Sequence, residues 1–189
     1  MQKFLNKISI RKKLTALVAI IVFVTFITCN ILSFFQIKQA VMNTRQAEIA
    51  AASEIAFNLV MEYKKRANDG EFSEKEAKER AIKRINHLNY EGSNYIWIND
   101  YNNVFLAHPK LQGQNGSNLK DKKGFKIIVE ATKIAKEKGK GSFNYFWSKP
   151  GKNTGLIYAK TTYVRNFPDW GWVICTGVYS DDTLQACLF

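Results

Sequence analysis

Polar and apolar positions along this 189-residue chain change their period twice, and each change marks a new kind of structure. The first stretch, Leu14 to Phe35, is 22 residues without a charge, 14 of them Val, Ile, Leu or Phe. A helix of that length reaches about 33 Å at about 1.5 Å per residue, enough to cross a hydrocarbon core of about 30 Å. A secretory signal peptide has a shorter apolar region, about 7 to 15 residues, and a small-residue cleavage site close behind it. No such site follows here, so the stretch reads as an uncleaved membrane anchor. Lys3, Lys7, Arg11, Lys12 and Lys13 precede it without an acid among them. Basic residues beside a span stay cytoplasmic, which places everything after Gln36 outside the membrane.

Beyond Lys38 the period becomes helical. No Pro or Gly occurs before Gly70, and Met42, Ile49, Ala52, Ala56, Leu59 and Tyr63 fall on a seven-residue repeat, so a long helix leaves the membrane directly. Its apolar stripe has two possible uses, packing on its own domain or on a second copy of itself. Ser73-x-x-Glu76 is a capping box that opens a second helix with Ala77, Ala81, Ile85 and Leu88 on one face. The charged run Lys75 to Arg84 supplies that helix with a solvated side.

After Gly92 the period shortens to that of strands. Tyr95–Asn99 and Val104–His108 flank the turn Asp100-Tyr101-Asn102-Asn103 and predict a hairpin. A polar loop, Lys110 to Asp121, leads to a helix from about Gly124 to Lys138, stopped by Gly139 and Gly141, and then to a third strand, Ser142–Trp147. The turn Ser148–Gly155 separates it from a long hairpin, Ile157–Val164 and Trp172–Tyr179, joined through Arg165–Gly171. Adjacent strands with short turns and one internal helix predict an α+β layer with a single antiparallel sheet.

Composition narrows the function. The net charge is +12, but 12 − 5 leaves +7 beyond the N-terminal basic group, spread among acids, and no zinc spacing or arginine-rich run accompanies it. Nucleic acid is thus not an expected partner. Three cysteines, Cys29, Cys175 and Cys187, form neither a disulfide framework nor a metal site, and no cofactor motif is present. His87 and His108 are the only histidines, no Ser or Cys sits in a nucleophile elbow, and no enzyme is expected.

A binding pocket remains. Strand alternation puts Tyr95 with Trp97, Phe143 with Tyr145 and Trp147, and Tyr158 with Lys160 and Thr162. Aromatic walls with a few polar ends suit a small ligand, and equally suit an ordinary core. Lys160 interrupts an apolar and hydroxyl-bearing strand, so it either faces solvent or supplies the one positive charge of a dry pocket, where it would want an anion. His108, at a strand end, could donate from either nitrogen or be a satisfied core histidine.

The motifs YIWIND, FLAHP, GKGSFNYFW-x-KPG, YAKTTYV and FPDWGWVICTGVYSDD together resemble the single-Cache extracellular sensor domain of bacterial chemoreceptors and related signalling proteins, over roughly Lys38 to Asp182. The resemblance implies a PAS-like fold, commonly a homodimer, and short carboxylates such as acetate, propionate or pyruvate as ligands. Carried onto this sequence, its binding residues are Tyr95, Trp97, His108, Pro109, Tyr145, Trp147, Lys160 and Tyr163, although alternation sets Tyr163 on the face opposite Lys160. Receptors of the family continue into a second span, a HAMP linker and an output domain, whereas Thr183 to Phe189 is a short tail. The expectation is a sensor truncated before its transmitter, in the record or in the gene product. An anchored structural or partner-binding protein that keeps the fold without a small ligand is the alternative. A pilin-like subunit fits poorly, since no acid interrupts Leu14 to Phe35.

The expected organisation is a cytoplasmic basic segment at 1–13, a transmembrane helix at 14–36, a sensor domain at 37–182 and a tail at 183–189, single-pass in a bacterial inner membrane with the sensor outside. An alkaline phosphatase fused after Tyr179 should be active and a cytoplasmic reporter there silent. Neutralising any one of Lys7, Arg11, Lys12 or Lys13 should leave that pattern unchanged, because orientation follows their sum.

Overall fold

The computed structural model describes residues 9–90, 94–149 and 157–179. Lys3 and Lys7, the Pro150-to-Gly155 part of the predicted turn, the Asp181-Asp182 pair and the tail with Cys187 lie outside those residues. The chain divides into two compact units, Met1–Val41 and Met42–Phe189. In the first, the residues from Ile10 onward are helical and their side chains exposed as far as Ala40, including every position from Leu14 to Phe35. Helix α1, Ile10–Asn68, is the one described helix long and apolar enough to cross a membrane.

In the second unit, the helical turns from Met42 to Asn68 are followed by α2 (Glu74–Asn86), β1 (Asn89–Tyr90), β2 (Asn94–Asp100), β3 (Phe105–Ala107), α3 (Ile127–Lys138), β4 (Lys140–Trp147), β5 (Tyr158–Phe167) and β6 (Trp172–Tyr179). Strand order is β1-β2-β6-β5-β4, with β3 paired to β2, and every pairing is antiparallel. The predicted order of elements is therefore present, with β1 as an added two-residue strand.

The sheet is covered on both faces rather than on one. Ile96, Ile98, Trp172 and Ile174 pack with Ala56 and Val60 of α1 and Ala77, Ala81 and Ile85 of α2. Tyr95, Trp97, Val173 and Cys175 pack on the other face with Ile127, Ile128, Ala131 and Ala135 of α3. That double cover explains why β6 is buried throughout its length and reads as a continuous apolar run.

Boundaries shift where pairing or capping outweighs local turn signals. β5 continues past Val164 because Arg165, Asn166 and Phe167 keep pairing with Ile174, Val173 and Trp172. The turn contracts to a 3-10 segment, Pro168–Trp170, closed by Gly171 at φ 66°. Gly139, at φ 73°, ends α3, while Gly141 enters β4 opposite Val164. Ser73 caps α2 as the box predicts, its hydroxyl accepting the Glu76 N–H at 3.2 Å.

Of the two uses open to the α1 stripe, the structure shows packing on its own unit. Ile49, Ser53, Ala56 and Val60 are fully buried, whereas Ala52 is half-buried and Ile55 is 64% exposed. Phe57 meets Phe167 edge-to-face at 5.4 Å, and Glu54 and Lys64 pair with Arg165 and Asp169 at the β5 end of the hairpin.

Candidate functional site

A row of three side chains crosses the sheet where β4, β5 and β6 run side by side. Tyr145 is paired with Lys160, and Lys160 with Tyr179, so all three project from the face that α3 covers. Lys160 is 1% exposed. Its Nζ lies 4.5 Å from the Tyr95 ring centroid, 4.9 Å from that of Tyr179 and 5.5 Å from that of Trp97. Among the described residues it forms no ion pair. The two readings of Lys160 are thereby separated: it is not a surface lysine.

Gly177 makes room for that lysine. A Cβ there would sit 2.5 Å from the Thr162 hydroxyl, 2.6 Å from the Thr161 carbonyl oxygen and 3.1 Å from Lys160 Cε, so only a bare backbone lets the lysine stem lie against β6. Burial of the amine disfavours its charged form, and its pKa falls to about 7.

Tyr95, Trp97, Phe105, His108, Leu111, Leu119, Ile127, Ile128, Tyr145 and Trp147 enclose a cavity of about 20 Å³, room for a single water-sized occupant; Lys160 does not line it but lies against two of its walls, the rings of Tyr95 and Trp97. Among the described residues no acid lines it, and the indole N–H of Trp97, one of its walls, is buried with no hydrogen-bond partner. Tyr145 Oη accepts from the Thr162 hydroxyl at 3.3 Å, and burial raises the Tyr145 pKa well above its usual value and that of Tyr95 to about 12. Both phenols therefore stay protonated.

His108 has its tautomer fixed by the backbone. Its Nδ1 accepts the N–H groups of Lys110 at 3.0 Å and Leu111 at 3.1 Å, which leaves Nε2–H as the ring's only donor. Donation from either nitrogen is thus narrowed to one. Burial first, and then the charges of Lys160 and Lys110, lower its pKa to about 4, so the ring is neutral at ordinary pH.

Six of the eight expected residues, Tyr95, Trp97, His108, Tyr145, Trp147 and Lys160, come together. Pro109 is exposed and does not line the cavity. Tyr163 is half-buried, paired with Ser142 and Thr176 on the opposite face, and is likewise outside it. Sequence reasoning missed Leu111, Leu119, Ile127, Ile128 and Phe105 as wall. Leu111 and Leu119 carried a signal, since they are the only large apolar residues in the otherwise polar segment 110–121.

Residues 41–187 match the family model of Single Cache domain 2. The chain is 29% identical over 181 residues to the methyl-accepting chemotaxis protein McpP of Pseudomonas putida, covering 94% of this chain and 33% of that one. It is 32% identical over 173 residues to the sensor histidine kinase MctS of Rhizobium johnstonii, covering 88% and 36%. The chain thus spans about a third of the length of the curated relatives it matches. Among solved structures, a periplasmic sensor domain of a chemotaxis protein superposes with a TM-score of 0.69 at 34% identity, over 73% of this chain and 96% of that one. A Cache chemosensory domain, solved as the structural basis for carboxylic acid recognition, superposes with 0.69 at 33%, over 75% and 97%.

The geometry at Gly177 generates a direct check. Gly177→Ala should destabilise the fold by about 1–3 kcal/mol, because one of the two closest obstacles is main-chain oxygen that cannot swing aside. Chemical denaturation of the chain in detergent would measure it; an unchanged midpoint would mean that β5 and β6 are less closely apposed there.

Proposed function

The chain belongs to the single Cache domain 2 family, and we propose that this member senses a short monocarboxylate of the acetate, propionate or pyruvate class in the cavity at Lys160. The sensor then serves chemotaxis or another signal-transduction pathway from the outer side of a bacterial inner membrane. The observation that carries the reading is one buried amine, without an acid among the described residues, beside Trp97, whose buried indole N–H has no partner among them. A carboxylate supplies what both lack: an anion for the amine and an acceptor for the N–H. The Nε2–H of neutral His108 is a further donor to such an anion.

The same inventory argues against other small solutes. Among the described residues, a dicarboxylate would bring a second anion where Lys160 is the one cation set against the wall rings of Tyr95 and Trp97, and an amino acid would bring an ammonium with no acid in the lining to receive it. The apolar walls from Leu111, Leu119, Ile127 and Ile128 favour a methyl or ethyl tail. A cavity of about 20 Å³ is smaller than acetate, so side chains must part on entry; that smallness is also what favours the second reading, an anchored partner-binding protein without a small ligand.

A second copy would meet the outward side of α1, where Ala47, Ala51 and Ile55 are exposed at four-residue spacing. A cysteine replacing Ile55 should crosslink in membranes and one replacing the buried Ile49 should not; the reverse would remove this face as a homodimer interface.

Calorimetric titration with acetate, propionate and pyruvate separates the two readings of the cavity. For acetate, four heavy atoms at a ceiling of about −1.5 kcal/mol each limit the binding energy to roughly −6 kcal/mol, so a dissociation constant of tens of micromolar or weaker is expected. Lys160→Ala should weaken binding by more than about 1.5 kcal/mol with the circular dichroism spectrum retained. Equal binding by that variant would show the assignment of the site to be wrong, and no binding of any short acid by the wild type would favour the partner-binding reading.

A further inference from the structure

We propose that the site has a second ligand, the proton, taken up by Lys160 as the carboxylate enters, so that the sensor reads a short acid and a hydrogen ion together. The inference rests on the carboxylate reading above and adds its coupling to pH.

Among the described residues, the groups that face the amine come from β2, β4, β6 and the turn after β3. From β2 come the rings of Tyr95 and Trp97; from the turn after β3, the neutral ring of His108; from β4, Tyr145; from β6, Cys175 and Tyr179. Beyond the Tyr179 ring is another cation, Lys149, its Nζ 5.4 Å from the ring centroid. None of these groups is an anion. Burial holds the phenols of Tyr95 and Tyr145 and the thiol of Cys175 in their neutral forms. His108 cannot compensate, since its Nδ1 already accepts two backbone N–H groups and a charged ring would add a second cation beside Lys160.

A buried ammonium with aromatic faces and no counter-ion gives up its proton more readily than one in water. The free site therefore holds a neutral amine over an appreciable part of the neutral and alkaline range. An entering carboxylate meets the mirror-image difficulty: an anion leaving water for a site with no net positive charge. One proton from solvent resolves both. The balance is RCOO⁻ plus H⁺ plus R′NH₂ giving the R′NH₃⁺···⁻OOCR ion pair, with no covalent bond to carbon changed and no net charge carried into the core. The complex is equivalent to the undissociated acid bound to the neutral amine.

The direction of the coupling follows. A carboxylate partner raises the Lys160 pKa above its free value of about 7, so protons are taken up between the free and the bound pKa. Above the free value the apparent affinity falls about tenfold per pH unit. Below it the amine is already charged and the affinity is level. Acidification outside the cell would thus sharpen the response to the same concentration of acid.

The test uses the full chain in detergent and acetate as the probe. Calorimetry at about pH 8.5, in phosphate and in Tris, should give uptake of close to one proton per acetate bound, falling towards zero at about pH 5.5, with affinity about fivefold weaker at pH 8 than at pH 7. In parallel, ¹³Cε-labelled lysine should show one resonance, missing from Lys160→Arg, that titrates near neutrality in the free chain and moves up by more than one pH unit with saturating acetate. Acetate binding with level affinity from pH 6 to 8.5 and no proton uptake would overturn this inference while leaving the carboxylate reading intact. So would a Lys160 midpoint above about pH 9 in the free chain, or proton uptake with the Lys160 resonance unmoved. Failure of acetate, propionate and pyruvate to bind at any pH overturns both.

Discussion

An amine buried among aromatic rings, with no acid beside it among the described residues, is the constraint on which the rest of this domain turns. The arrangement is costly in isolation, because desolvation penalises the charge and the rings return only part of the loss. Several unrelated features accommodate it. Gly177 gives up a side chain so that the lysine stem can lie flat on β6. The rings of Tyr95, Trp97 and Tyr179 turn their faces to the Nζ. His108 is held in its neutral form by two backbone N–H groups and so adds no repulsion. Among the described residues the amine and the Trp97 indole N–H are left without an acid or an acceptor, which is what the proposed carboxylate would supply.

The sheet that carries this site is rigid because both its faces are covered. Residues of β2 and β6 alternate between a helix-side core of aliphatic and tryptophan side chains and a site-side core of aromatics and small residues. β5 joins the two functions. Lys160 stands near one end of the strand, while at the other Phe167 packs on Phe57 and Arg165 pairs with Glu54, both on α1. The strand bearing the amine is therefore tied by ring packing and an ion pair to the helical turns at Glu54 and Phe57 of the same unit.

Much of this was legible in the sequence, for identifiable reasons. Periodicity found the helices and strands, since 3.6- and 2-residue repeats report burial directly, and alternation on β2 and β4 put Tyr95 with Trp97 and Tyr145 with Trp147. It also set Tyr163 opposite Lys160, against the set implied by family resemblance, and the structure keeps those two on opposite faces. What was hidden depends on long-range contact. Nothing local shows that β5 pairs on to Phe167, or that a polar loop folds so that Leu111 and Leu119 reach β2 and β4. The second covered face was missed because α1 and α2 precede the sheet in sequence, and only packing places Ala56, Ala77 and Ala81 against Ile98. The tautomer of His108 needed the positions of two backbone N–H groups, which no motif records.

The central claim is that the cavity offers its open donors to a carboxylate, and the indole N–H of Trp97 reports on it most directly. The chain has four tryptophans, so a ¹H–¹⁵N spectrum of the indole region contains four resonances, with that of Trp97 assigned through Trp97→Phe. Titration with acetate should shift the Trp97 resonance downfield and to saturation, as an unpartnered N–H gains an anionic acceptor, while acetamide, of the same shape but uncharged, should shift it far less. An unmoved Trp97 resonance, or equal shifts from acetate and acetamide, would contradict the account.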